Sequence, residues 1–241
     1  MLSRVLSGFI ALTLALAAPV AAAEIKLAPR AVVELFTSEG CSSCQKANAL
    51  LATLADRADI VALAWHVDYW DYLGWPDSFG RPENTARQRA YATSWGSSRL
   101  FTPQMIVNGA TAFVGGQAES AETALQAANL PVAVLLVAED GRLDIDIPPA
   151  SATSATIWLV SFIDRVDAAM PRGQNPDQTL TYAQIVTGQQ LLGMWQPEAG
   201  ARLSLPLDEV LDGRSNGVAI LVQADRNGLP GPILGAATFT R

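Results

Sequence analysis

The sequence predicts an α/β domain over residues 24–130 followed by a small antiparallel β-sandwich over 131–241. Three observations carry this expectation. The stretch Ala31–Leu51 reads as a short apolar strand, a turn holding Cys41 and Cys44, then a helix. From residue 31 to 128 the elements run strand, helix, strand, insertion, strand, strand, helix. After Pro131 the chain reads mostly as short strands divided by turn residues.

The elements follow in order. Arg4, the apolar run Val5–Val20 and the small residues Ala21-Ala22-Ala23 predict an export leader over residues 1–23, with Glu24 as the first mature residue. Val32, Val33, Leu35 and Phe36 give a buried strand over 31–36, and Thr37-Ser38-Glu39-Gly40 is turn chemistry. Ala47, Leu50, Leu51 and Leu54 recur at helical spacing, so the helix after Cys41 runs to about Arg57. Ile60–Trp70 is the second strand, apolar at first and aromatic at its end.

From Asp71 the pattern changes to Gly-Trp-Pro and Gly-Arg-Pro turns and then a helix over Glu83–Ser94. Four of the six tryptophans and three of the four tyrosines fall between Trp65 and Trp95, which marks an aromatic-rich insertion. Those rings either bury the insertion alone or form a wall beside the cysteines, where Trp70 and Trp75 would meet a substrate. Phe101–Gly109 is the third strand, Asn108-Gly109 its hairpin turn, Thr111–Val114 the returning strand and Ala118–Ala128 a helix. In the second half the expected strands are Val132–Ala138, Leu143–Ile147, Thr156–Asp164, Arg202–Leu207, Gly217–Asp225 and Ile233–Thr240. Met170–Tyr182 reads as a long loop or crossover.

The formal charge of −7 without a basic cluster argues against nucleic acid and anionic membranes as partners. No stretch after the leader is long and apolar enough for stable membrane insertion. The leader implies a periplasmic or secreted protein, in a compartment where disulfides persist. Cys41 and Cys44 are the only cysteines, and three-residue spacing lets them reach each other. At the start of a helix, unpaired backbone N–H groups favour a thiolate on Cys41, the expected nucleophile and the more exposed thiol. Cys44, a turn deeper, would resolve the mixed disulfide.

The stretch Phe36–Cys44 resembles the strand and active-site loop of glutaredoxins. Thr102-Pro103-Gln104-Met105-Ile106-Val107-Asn108-Gly109 with Gly115-Gly116 resembles their Thr-Val-Pro and Gly-Gly region. The whole chain is similar to an exported bacterial family of thioredoxin-like proteins of unknown function. Glu34–Cys44, His66–Trp75 and Arg172-Gly173-Gln174-Asn175 carry that similarity. The resemblance implies a thioredoxin-like (glutaredoxin-like) first domain and a thiol–disulfide oxidoreductase acting on protein thiols of the cell envelope. It implies a cis Pro103 against the cysteines and backbone groups of Thr102 offered to an extended substrate. Gln117, Ala118 and Glu119 stand where glutaredoxins carry an aspartate that helps hold glutathione, so glutathione is not carried over as a partner. Ser42-Ser43 also differs from the Pro-Tyr dipeptide of glutaredoxins and the Gly-Pro of thioredoxins.

Three further residues are candidate acid–base groups. Glu34 is a charge inside a buried-looking strand, for which the resemblance to thioredoxins implies a proton shuttle to or from Cys44, although Leu35 takes that place in an ungapped frame. His66 is the sole histidine, and Asp68 shares its strand parity. The sequence implies no cofactor beyond a redox-active Cys41–Cys44 disulfide, and no resident metal. Three other readings stay open: a structural disulfide, a copper- or zinc-handling module using Cys41, Cys44 and His66, and a non-catalytic binding protein.

Overall fold

The computed structural model describes residues 23–26, 28–74, 76–170, 178–211 and 213–241. The leader, up to residue 22, and the 172–175 loop lie outside the described residues, as does Trp75. The strands are β1 (Glu24–Lys26), β2 (Ala31–Thr37), β3 (Ile60–His66), β4 (Gln104–Val107), β5 (Thr111–Val114), β6 (Leu135–Glu139), β7 (Arg142–Ile147), β8 (Ala155–Met170), β9 (Gln178–Trp195), β10 (Ala201–Pro206), β11 (Gly217–Arg226) and β12 (Leu229–Thr240). The helices are α1 (Gln45–Ala55), α2 (Pro82–Ser94), α3 (Ala118–Gln126) and the single turn α4 (Leu207–Val210).

The expectation of a thioredoxin-like α/β domain with a separate sandwich is overturned. Among the described residues nine strands form one mixed sheet in the order β1-β12-β11-β8-β9-β3-β2-β4-β5, and β10-β7-β6 form a second sheet. Strands from both halves of the chain therefore share a sheet. β9 lies parallel beside β3, meeting it at Ala64 and Ile185, and β3 runs parallel to β2. The reason is burial. Every residue of β2 and β3 is buried, so β3 has no solvent edge and its outer side is closed by β9.

The three larger of the four apolar clusters among the described residues hold the layers. Val33, Leu35, Ala62 and Ala64 pack under α1 and α3 through Ala47, Leu51 and Leu125. On the opposite face Val32, Phe36, Leu63 and Trp65 join Tyr91 of α2 and then Val160, Phe162, Ala219 and Leu221 of β8 and β11. This second cluster runs across both halves. The small sheet packs Leu136, Leu143, Ile145 and Ile147 onto Ile157, Val218 and Ile220 of the large sheet.

Local chemistry sets the element ends. Asp140-Gly141 and Asn227-Gly228 have positive φ at both positions, as tight two-residue hairpins between right-twisted strands require. Pro82 opens α2 at its first position, where the missing N–H costs nothing. The long hairpin β8–β9 departs most from the expected elements. Its strands pair from Ala155↔Trp195 to Met170↔Gln178, with irregularities at Ile157/Trp158 and Ser161/Phe162.

Candidate functional site

The cysteines sit where β2 ends. Cys41 N–H donates to Ser38 O at 3.1 Å and Gly40 N–H to Ser38 Oγ at 3.1 Å, which closes the turn. A 3-10 turn over Ser42–Cys44 then precedes α1, so the regular helix starts at Gln45, past both cysteines. Cys41 and Cys44 are joined in a disulfide, with their Cα atoms 5.4 Å apart. Cys44 is fully buried and Cys41 is only 3 % exposed, so the expectation of an open Cys41 does not hold for the oxidised chain. Ser43 is exposed, and its Oγ lies 3.4 Å from Cys41 Sγ.

Two other segments converge on this turn. The Thr102–Pro103 peptide is cis, and Pro103 O accepts the Gly115 N–H at 2.9 Å. A side chain at Gly115 would meet Ala47 Cβ and Pro103 Cβ at 3.0 Å, so glycine lets this strand approach α1. Trp70 Nε1 donates to Thr102 Oγ1 at 2.8 Å, and the Trp70 Cβ would stand 3.1 Å from any Cβ at Gly40. Trp70 thus links the cysteine turn to the proline segment. A groove of about 520 Å³ opens beside the disulfide, with Ser43, Lys46, Arg99, Thr102, Pro103 and Gly116 among its walls.

His66 points to the α1 side of β3, yet its partner is not Asp68. Nδ1 lies 3.0 Å from both carboxylate oxygens of Asp77, and an ionised carboxylate is acceptor-only, so Nδ1 donates. Asp68 instead accepts from Thr85 Oγ1 at 2.6 Å, which ties it to α2. Asp77 also takes the Glu39 N–H at 2.7 Å and the Phe79 N–H at 2.8 Å. Glu39 reciprocates by accepting the Ser78 N–H at 2.9 Å. Segment 77–79 and the cysteine turn are therefore clasped in both directions. Burial pushes the Asp77 carboxyl upward, but the His66 charge and these hydrogen bonds outweigh it and hold the carboxyl below its usual range. Phe79 and Tyr182 meet the His66 ring edge-on at 5.3 and 5.1 Å. Burial, with the Glu39 and Asp77 charges, raises the Tyr182 phenol. Among the described residues Nε2 of His66 has no hydrogen-bond partner.

Glu34 does not face Cys44. Strand alternation places it with Val32 and Phe36 on the α2 side, while Leu35 faces α1. Arg87 Nε donates to Glu34 Oε1 at 2.7 Å and Tyr91 OH to Oε2 at 2.5 Å. Gln223 of β11 donates to Tyr91 OH at 2.7 Å and accepts from Arg87 at 3.2 Å. Arg87 Cζ lies 4.7 Å from the Trp65 ring centroid. Burial would lower the Arg87 pKa, but the Glu34 carboxylate raises it further. Burial, with the same carboxylate, raises the Tyr91 phenol. This closed network spans the two halves of the chain and is structural.

The structure thus brings Cys41, Cys44, Pro103, Thr102 and Trp70 together, with His66 joined to the turn through Asp77. It takes Glu34 and Asp68 out of the site. Asp77, Lys46 and Arg99 were not singled out as site residues; only the turn residues around Trp-Pro-Asp-Ser gave any signal for Asp77. Among the described residues no three His, Cys, Asp or Glu side chains are grouped to hold a metal ion.

Fold and site together define a mixed β-sheet protein with a buried Cys-x-x-Cys disulfide at a strand-to-helix turn. The chain belongs to the family described as a protein of unknown function (DUF1223), matched over residues 32–223. It is similar to the X-ray structure of protein AGR_C_4864 from Agrobacterium tumefaciens, at 32 % identity and a TM-score of 0.80, over 88 % of this chain and 95 % of that one. HBP35 of Porphyromonas gingivalis shares the fold at 13 % identity and a TM-score of 0.60, over 87 % of this chain and 74 % of that one. No curated protein matches the chain.

Proposed function

We propose that the chain is an exported thiol–disulfide oxidoreductase that exchanges disulfides with protein thiols through Cys41 and Cys44. The observation that carries this reading is the placement of the only cysteine pair. It closes a four-residue turn whose Ser43, 3.4 Å from Cys41 Sγ, lines an open groove together with Pro103 and Thr102.

In the oxidised protein, a substrate thiolate attacks Cys41 Sγ. The Cys41–Cys44 bond breaks and Cys44 leaves as a thiolate that takes up a proton. A second substrate thiol, deprotonated, attacks the substrate sulfur of the mixed disulfide and releases Cys41 as a thiolate, which is protonated in turn. The substrate loses two electrons and two protons to the cysteine pair. Ser43 Oγ, 3.4 Å from Cys41 Sγ, supplies a hydroxyl that stabilises the released thiolate. Pro103 and Thr102 form the wall along which the substrate segment lies. Trp70 acts as a positioning residue through Thr102.

A structural disulfide is the competing reading, favoured by the burial of both sulfurs. One experiment separates the two. Cys44→Ser leaves Cys41 without its resolving partner, so in the cell envelope it should accumulate mixed disulfides with other proteins. Cys41→Ser should accumulate few. Equal trapping by both variants, or none, sinks the proposal.

A further inference from the structure

The groove beside the disulfide is cationic in a chain whose formal charge is −7. Among the described residues its lining includes Lys46 and Arg99 and no carboxylate. Both cations are exposed, and neither stands in an ion pair among the described residues. Arg99 Cζ lies 5.7 Å from the Phe101 ring centroid, so the guanidinium is held over a residue of the groove wall. On the other side a Cβ at Gly116 would come within 3.3 Å of Lys46 Cβ, so glycine leaves the backbone bare beside the lysine. Ser43, which touches Cys41 Sγ, lines the same groove. Among the described residues no backbone hydrogen bond occupies the N–H or C=O of Thr102. An extended segment can therefore pair there, strand-fashion.

We propose that this groove selects substrates whose exchanging cysteine lies in an extended protein segment bearing aspartate or glutamate, engaged by Lys46 and Arg99. The inference rests on the thiol-exchange reading and names its substrate class. Exposed ion pairs are individually weak, and two of them together give a preference of about five- to twentyfold. Screening shortens to about 3 Å at 1 M salt, so that preference should fade there.

The test uses the purified oxidised chain and three reduced two-cysteine peptides. They are identical except that the flanking residues are glutamate, glutamine or lysine. Reduction of Cys41–Cys44 is followed by acid quench, alkylation and mass spectrometry. The acidic peptide should react about five- to twentyfold faster than the neutral one, with the lysine peptide slowest and the spread collapsing at 1 M salt. Lys46→Glu with Arg99→Glu should reverse the order. Equal rates for the three peptides, or an order that survives both high salt and charge reversal, would overturn the acidic-segment inference and leave thiol exchange standing. Faster exchange with reduced glutathione than with the acidic peptide, lost on charge reversal, would replace the protein segment by a small acidic thiol. If no thiol reduces the disulfide in the folded chain, the exchange reading fails and this inference with it.

Discussion

Replacing Asp77 by alanine should destabilise the fold and loosen the cysteine turn together. The Asp77 side chain is wholly buried and serves three donors: His66 Nδ1 at 3.0 Å, Glu39 N–H at 2.7 Å and Phe79 N–H at 2.8 Å. Each buried donor left without an acceptor costs about 1–3 kcal/mol. The three share one small volume, so their losses are not additive, and about 3–5 kcal/mol in total is the expectation. That is a large part of the roughly 5–15 kcal/mol by which a domain is stable. For a chain of this size it lowers Tm by about 6–20 °C. Urea and thermal unfolding of oxidised Asp77→Ala measure the global loss. Amide hydrogen exchange measures the local one, because the Glu39 amide lies two residues before Cys41 and should lose its protection. A variant within about 1 kcal/mol of wild type, with the Glu39 amide still protected, would refute the clasp.

Three further expectations rest on the same contacts. Because the Asp77 carboxyl is held below its usual range, its ionised form stabilises the fold fully above about pH 4. That stability is lost as pH falls through the lower folded value, so acid unfolding curves of Asp77→Asn should show a shallower slope in that window. Arg87→Met strands the Glu34 carboxylate in the core and should cost about 3–5 kcal/mol in urea unfolding, whereas adding Glu34→Met should recover much of it. Trp70→Phe keeps the Cβ beside Gly40 and an aromatic ring but removes the bond to Thr102 Oγ1. It should cost only about 0.5–1.5 kcal/mol, yet slow exchange with peptide thiols more than with a small dithiol.

The cysteine turn was legible because its signals are local. An apolar run, a turn and helical spacing placed β2, the turn and α1, and the Asn108-Gly109 pair marked the β4–β5 hairpin. The fold class was not legible, because what joins the halves is the pairing of β9 with β3, a contact more than a hundred residues apart in sequence. β9 itself gave little strand signal. Its Thr-Gly-Gln-Gln stretch is polar, and Gln184 and Gly193 take positive φ within it, which breaks any simple alternation. Glu34 was legible as a buried charge, but its role was set by Arg87 of α2, whose inner face is polar where a buried helix usually shows aliphatic residues. Strand parity alone also paired His66 with Asp68. The chain bends away after His66, and the acid that reaches the ring comes from the turn at Asp77.

Thiol–disulfide exchange by this chain requires Cys41–Cys44 to be a working redox couple in the folded protein. The direct measurement is its redox equilibrium in graded dithiothreitol buffers, with the thiol state read by alkylation and the fold by circular dichroism. A working couple gives complete, reversible reduction in the native state, with a dependence on dithiol concentration and a rate far above that of global unfolding. Reduction that proceeds only at the rate of global unfolding would contradict it and make the disulfide a structural one.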